Sequence, residues 1–147
     1  MSIEGTYVPT PSDWVREQVE LYERTGGREG NTLRETGIPI IVLTVRGAKT
    51  GYVRKFALMR VEHDGAYALV ASKGGAPTDP AWLANLRADP MNVWIQDGDT
   101  PVHMQVRELE GPEYDLWWDR AVAVFPTYNE YKAKTDRRIA VLVATPV

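Results

Sequence analysis

Two Asp-Gly steps constrain the fold of this chain more than any other feature. Asp64-Gly65 stands between the runs Tyr52 to Glu62 and Tyr67 to Ala71, and Asp97-Gly98-Asp99 stands between Met91 to Gln96 and Val102 to Leu109. Asp and Gly tolerate the positive φ of tight turns whose twist matches paired strands, so each step predicts an antiparallel hairpin. In the second hairpin Val102, Met104 and Val106 alternate with His103, Gln105 and Arg107, which leaves one face wet. Ile38 to Val45 is apolar and β-branched and reads as a buried strand paired with Tyr52 to Glu62. Arg138 to Val143 reads as a last strand.

Helical signals flank these runs. Thr10-Pro11-Ser12-Asp13 predicts a start: a Thr cap, Pro at the first helical position and an acid three residues after the cap. Val15, Val19 and Tyr22 then share one face, widened by Trp14 and Leu21 and interrupted by Gln18, until Gly26-Gly27 stops the helix. Residues 28–36 read as a linker. Asp79 to Ala88 predicts a short helix capped by Asp79, with Pro80 first. Gly111 to Val124 predicts a longer one with Leu116, Trp117, Ala121 and Val124 as its apolar face, and Pro126 to Lys134 a further turn or two. About six mostly antiparallel strands with three or four helices imply an α+β protein built around a small barrel. A length of 147 residues without an internal repeat fits one domain, 1–147, with 1–34 as an N-terminal helical arm.

The charge pattern points to function. The chain carries a formal charge of -3, yet Gly37 to Val61 holds Arg46, Lys49, Arg54, Lys55 and Arg60 and no acid. A single-sign cluster beside glycines predicts a site for phosphate or carboxylate groups. Lys73, next to Gly74-Gly75, is a second cation at a strand end, where glycines let a backbone approach closely. Neither segment has the spacing of a P-loop or of a dinucleotide fingerprint. The acidic total argues against general nucleic-acid binding. The absence of cysteine excludes disulfides, thiolate nucleophiles and zinc-cysteine sites, and fits a reducing cytoplasm. His63 and His103 have no ligand-spaced partner, so no metal site is expected. No signal-peptide pattern and no run long enough for a membrane span is seen. Phe125, Tyr128 and Tyr131, at i, i+3 and i+6, read either as a helix face packed on the barrel or as the wall of a pocket for a flat ring.

These segments in this order resemble the deazaflavin-dependent nitroreductase and quinone reductase family, split-barrel proteins that bind the 5-deazaflavin coenzyme F420. The matching stretches are Leu43 to Gly51, Arg54 to Leu58, Ala71 to Gly75, Pro80 to Leu86, Asp89-Pro90, Pro126 to Tyr131 and Thr135 to Ile139. The resemblance implies a split β-barrel and hydride transfer from reduced F420 to a quinone or nitro-aromatic acceptor. It implies that Ala48, Lys49, Thr50, Arg54, Lys55 and Lys73, with Gly74 and Gly75, meet the coenzyme's anionic tail side. It implies that Phe56, Ala57, Leu58, Ala81, Trp82 and Asn85 meet the ring. It assigns Phe125, Tyr128 and Tyr131 to the acceptor, with Ser72 on both sides and Tyr128 and Ser72 as candidate proton or hydrogen-bond donors. The competing readings are an FMN-dependent split-barrel oxidase or reductase, and a non-catalytic carrier of a deazaflavin or lipid. The N-terminal helix is expected to close over the site or to touch a membrane weakly. Its polar face mixes Glu and Arg, which opposes firm membrane binding.

Overall fold

A computed structural model describes Ile3, residues 5–33 and residues 36–147. Among the described residues seven strands make one sheet: β1 (Ile40–Arg46), β2 (Val53–Met59), β3 (Glu62–His63), β4 (Ala66–Val70), β5 (Val93–Gln96), β6 (Pro101–Glu108) and β7 (Val141–Pro146). Their order is β2-β1-β5-β6-β7-β4-β3, and every pair is antiparallel. The sheet curls into a half-barrel, the split-barrel architecture expected. Both Asp-Gly steps form hairpins, β3–β4 and β5–β6.

The strand expected over Tyr52 to Glu62 is two strands, which raises the count to seven. After Met59 the Arg60 amide donates to Pro39 O and the Val61 carbonyl accepts from Ala68, so the chain leaves β1 and joins β4. The last strand begins at Val141 rather than Arg138. The residues before it are engaged elsewhere: Ile139 O accepts from the Tyr114 hydroxyl at 2.6 Å, and Arg138 Nη2 donates to Leu109 O at 2.9 Å.

Four helices lie outside the sheet among the described residues: α1 (Asp13–Thr25), α2 (Ala81–Ala88), α3 (Gly111–Val124) and α4 (Thr127–Lys134). Both expected caps shift. α1 starts after Ser12, so Pro11 precedes the helix instead of opening it, and Thr10 Oγ1 accepts from the Ser12 amide at 3.4 Å. α2 starts after Pro80, because Asp79 pairs with arginines instead of capping. Leu116, expected on the apolar face of α3, is 49 % exposed, while Tyr114, Trp117, Trp118 and Ala121 are buried. One turn of helix separates the aromatics that face the sheet, and Leu116 falls between them on the outer side.

Three apolar clusters follow from strand alternation. Ile41, Leu43, Leu69, Ile95, Met104 and Leu142 point into the barrel, where Leu83 and Leu86 of α2 close one end. Ala68, Val70, Val141 and Val143 point outward and are covered by α3 and α4. Val19 and Tyr22 of α1 cover Ile40 and Val42, with Ala57 and Met59 beside them. Burying β4 and β7 on both faces explains why they read as unbroken apolar runs. The segment read as a linker is held in place: Gln18, which interrupts the stripe of α1, donates from Nε2 to Gly30 O at 2.9 Å and Thr32 O at 2.7 Å. The boundary expected at residue 34 lies outside the described residues.

Candidate functional site

The β1–β2 hairpin turn, the first residues of β2 and the exposed side of α2 enclose a cleft of about 590 Å³, a size suited to a cofactor. Lys49, Thr50 and Ala48 come from the turn, Arg54, Lys55 and Phe56 from β2, and Ala81, Trp82 and Asn85 from α2. The turn is fixed across the cleft, since Asn85 Oδ1 accepts from the Ala48 amide at 2.9 Å. Phe56 and Trp82 stack with ring centroids 5.4 Å apart and planes 14° from parallel. The cleft therefore pairs a cationic turn with a flat apolar wall.

Thr10 and Pro11 form another wall, which the sequence reading did not foresee. The chain before them runs parallel to the start of β2. Val53 donates to Thr6 O at 2.8 Å, and Val8 donates to Val53 O at 3.0 Å. The only sequence signal was Pro11, taken as part of the helix. α1 itself packs on the outer face of β1 and β2 rather than over the cleft mouth.

The acid-free window is not acid-free in space. Lys55 is ion-paired with Glu23 of α1, and its ammonium lies 5.3 Å from the Tyr7 ring centroid. Burial, with Glu23 and Glu20 adding, pushes the Tyr7 phenol up. Arg60 donates from Nε to Asp97 at 2.8 Å, and the Tyr67 hydroxyl donates to the same oxygen at 2.7 Å. Arg54 Nη1 donates to Val8 O and Pro9 O at 3.2 and 3.4 Å. Lys49 is exposed and makes no ion pair among the described residues.

Ala57, Leu58, Ser72, Lys73, Gly74 and Gly75 do not line this cleft. Ala57 faces α1, on the opposite side of β2 from Phe56, while Leu58 packs against the barrel interior. Ser72 leads into a 3-10 turn, Lys73–Gly75, that follows β4. Lys73 Nζ donates to Thr78 Oγ1 at 3.2 Å. The close approach expected of the two glycines is realised, but toward protein: a Cβ on Gly75 would meet Tyr131 O of α4 at 2.8 Å.

Phe125, Tyr128 and Tyr131 form one cluster, as their spacing requires. Phe125 and Tyr128 meet edge to face at 5.0 Å, and Tyr131 lies 6.0 and 6.3 Å from them. Tyr128 is 4 % exposed and sits against Trp118. Burial, and secondarily Tyr131, pushes its phenol up, so it stays protonated. Tyr131 and Ser72 are half-buried. His63 and His103 face Trp117 and Trp94 instead.

The half-barrel thus carries, at its β1–β2 turn, a cleft with a cationic edge and an aromatic floor. The sequence profile described as F420H(2)-dependent quinone reductase matches residues 14–146, and the chain belongs to that family. It is 33 % identical over 128 residues to an F420H(2)-dependent quinone reductase of Mycobacterium tuberculosis (strain H37Rv), covering 85 % of each. Among solved structures it is similar to an F420-H2 dependent reductase, FDR-A, at 50 % identity and a TM-score of 0.68, over 72 % of this chain and 93 % of that one. It is also similar, at 47 % identity and a TM-score of 0.70, to a protein described as a domain-swapped dimer, over 92 % of this chain and 99 % of that one. No helix among the described residues is long and apolar enough to cross a membrane.

Proposed function

We propose that this protein moves a hydride from reduced coenzyme F420 to a quinone, with nitro-aromatic compounds as further acceptors. The observation that carries this reading is the cleft, which brings Lys49 and Thr50 opposite the Phe56–Trp82 stack and Asn85. The residues fit the coenzyme: Lys49, without an ion pair among the described residues, offers its charge to an anionic tail, and the aromatic wall suits a flat ring. When bound, the deazaflavin supplies the hydride, because its reactive position is a carbon that passes electrons in pairs. The protein's part is to bind, align and hydrogen-bond. Alignment of two reactants by itself lowers the barrier substantially.

Lys49, Thr50, Arg54 and Lys55 hold the tail from the cleft, and Lys73, which lies outside the cleft lining, extends that cationic edge from the loop after β4. Trp82, Ala81 and Phe56 bear on the ring, and Asn85 keeps the Ala48 amide in place. On the acceptor side an oxygen gains negative charge as hydride arrives, and nearby hydroxyls stabilise it. Tyr128, held protonated by burial, suits the role of hydrogen-bond donor throughout the step. Ser72 and Tyr131, which are less buried, are the alternative donors. Thr10 and Pro11 shape the entry for the acceptor. The protein is expected to act in the cytoplasm or at the surface of a membrane where lipid quinones reside.

The test is a titration of the protein with F420 and, separately, FMN, followed by mixing with reduced F420 and menadione. F420 binding and oxidation of the reduced coenzyme on adding menadione are expected. Lys49→Ala should weaken F420 binding about tenfold or more, since a charge-assisted contact contributes on the order of 1.5–3 kcal/mol. Binding of FMN but not F420, or binding without turnover, would sink the reading.

A further inference from the structure

Arg137 stands in the segment before β7, and its side chain turns back over the loop between β4 and α2. The side chain is 12 % exposed. Each of its five N–H groups has an acceptor. Nε donates to Ala76 O at 3.1 Å. Nη1 donates to Ala71 O and Asp79 Oδ1, both at 3.0 Å. Nη2 donates to Ser72 O at 2.9 Å and Ala76 O at 3.0 Å. A guanidinium is the one side chain that offers five donors in a fixed plane, and here none is left over.

The acceptors span the loop from its first residue to the residue before Pro80. Between them Lys73 has φ +46, a left-handed conformation that side chains rarely adopt. Such a backbone persists where its surroundings over-determine it. Arg137 grips it on one side, and Gly75 is packed on α4 at the other. Asp79 carries the linkage further. It lies 4.0 Å from Arg87, which forms two hydrogen bonds with Glu108 at 2.8 and 3.0 Å. One side chain thus ties together the loop that bears Ser72 and Lys73 and the start of the helix that bears Trp82 and Asn85.

We propose that Arg137 is the positioning residue of the coenzyme site, holding the 71–79 loop and the first turn of α2 so that both address one ligand. This rests on the reading that the cleft and the loop take F420. A guanidinium with a purely structural role would change melting temperature without changing ligand affinity selectively.

The experiment compares wild type, Arg137→Lys and Asp79→Asn by F420 fluorescence titration, thermal melting and amide hydrogen exchange. Lysine keeps the charge but cannot reach four acceptors from one ammonium. In Arg137→Lys the Kd for F420 should rise tenfold or more, and the amides of Ser72 to Asp79 should exchange at least tenfold faster than in wild type. A Kd within twofold of wild type would overturn the proposal, as would a lower melting temperature with loop exchange unchanged. Asp79→Asn should speed exchange in Ala81 to Asn85 and raise Kd two- to fivefold. If neither changes, the limb that reaches α2 is wrong, and if Arg137→Lys does not fold this variant decides alone. Should wild type not bind F420, the functional reading fails. The clamp is then judged on exchange alone, where faster loop exchange in Arg137→Lys supports it and unchanged exchange overturns it.

Discussion

Gly75→Ala should destabilise the protein far more than Gly74→Ala, although the two glycines are adjacent and both left-handed. Gly75 has φ +78 and Gly74 has φ +64, so each alanine meets the same backbone penalty of roughly 1–2 kcal/mol. A Cβ on Gly74 meets nothing within 4 Å. A Cβ on Gly75 would lie 2.8 Å from Tyr131 O, 3.0 Å from Tyr131 Cα and 3.3 Å from Lys134 Cβ. Two of these are helix backbone, which cannot swing aside, so α4 must be wedged away at about 1–3 kcal/mol more. The total is about 2–5 kcal/mol for Gly75→Ala and about 1–2 for Gly74→Ala. At roughly 2–4 °C per kcal/mol for a chain of this size, melting should fall by about 4–20 °C and about 2–8 °C respectively. Circular dichroism melts of both variants in one buffer make the comparison. Equal losses would refute the claim that this loop is seated on α4 by the missing side chain.

Tyr128→Phe should leave F420 affinity unchanged and lower turnover by about 100- to 1,000-fold if its hydroxyl stabilises the acceptor oxygen; wild-type turnover, measured where hydride transfer limits the rate, would make Tyr128 wall only. Glu23→Gln releases Lys55 and removes a carboxylate from the coenzyme side, so F420 should bind about two- to fivefold more tightly; weaker binding in the titration would show that the pair supports the site instead. The hydrogen bonds from Arg87, reinforced by the charges of Arg87 and Arg138, hold the Glu108 carboxyl below its usual 4.5. A depressed carboxylate stabilises the fold fully above its unfolded pKa and loses that contribution as pH falls through the folded value. Wild type should therefore melt above Glu108→Gln by a few degrees at pH 6, about 1 kcal/mol, and the gap should narrow as pH falls below 4.5 and close once the carboxyl is protonated in the fold. A gap that does not narrow with acidification would show that shape rather than charge matters there.

The hairpins were legible because their signals are local: Asp64-Gly65 and Asp97-Gly98 carry the turn in two adjacent residues. The turn and helix that form the cleft were legible through resemblance, and Lys49, Trp82 and Asn85 do meet there. What stayed hidden depends on partners far along the chain. Glu23 reaches Lys55 only because α1 folds against β2, and Asp97 reaches Arg60 only because the sheet curls. Nothing near Thr10 says that a parallel bridge will carry it to the cleft wall. The aromatic spacing at Phe125, Tyr128 and Tyr131 favours a packed helix face without closing the pocket reading, and only the packing against Trp118 shows how deeply Tyr128 sits. Arg137 carried no local signal at all, since its acceptors, three backbone carbonyls and the Asp79 carboxylate, all lie far back along the chain.

The position of β7 has a consequence for how the chain is made. β7 lies between β6 and β4, so Val70 waits for Val141 and Leu69 for Leu142. On a ribosome adding about 5–20 residues per second, β4 is synthesised about 4–14 s before its long partner. During that interval Ala66–Val70 has only the two residues of β3 beside it. An apolar strand edge of that kind invites pairing with another chain. The edge of β4 is thus covered only by a strand made about seventy residues later. Nascent chains stalled before Val141 should be trapped by chaperones or co-aggregate, while chains in which Val141–Pro146 has left the ribosome should not.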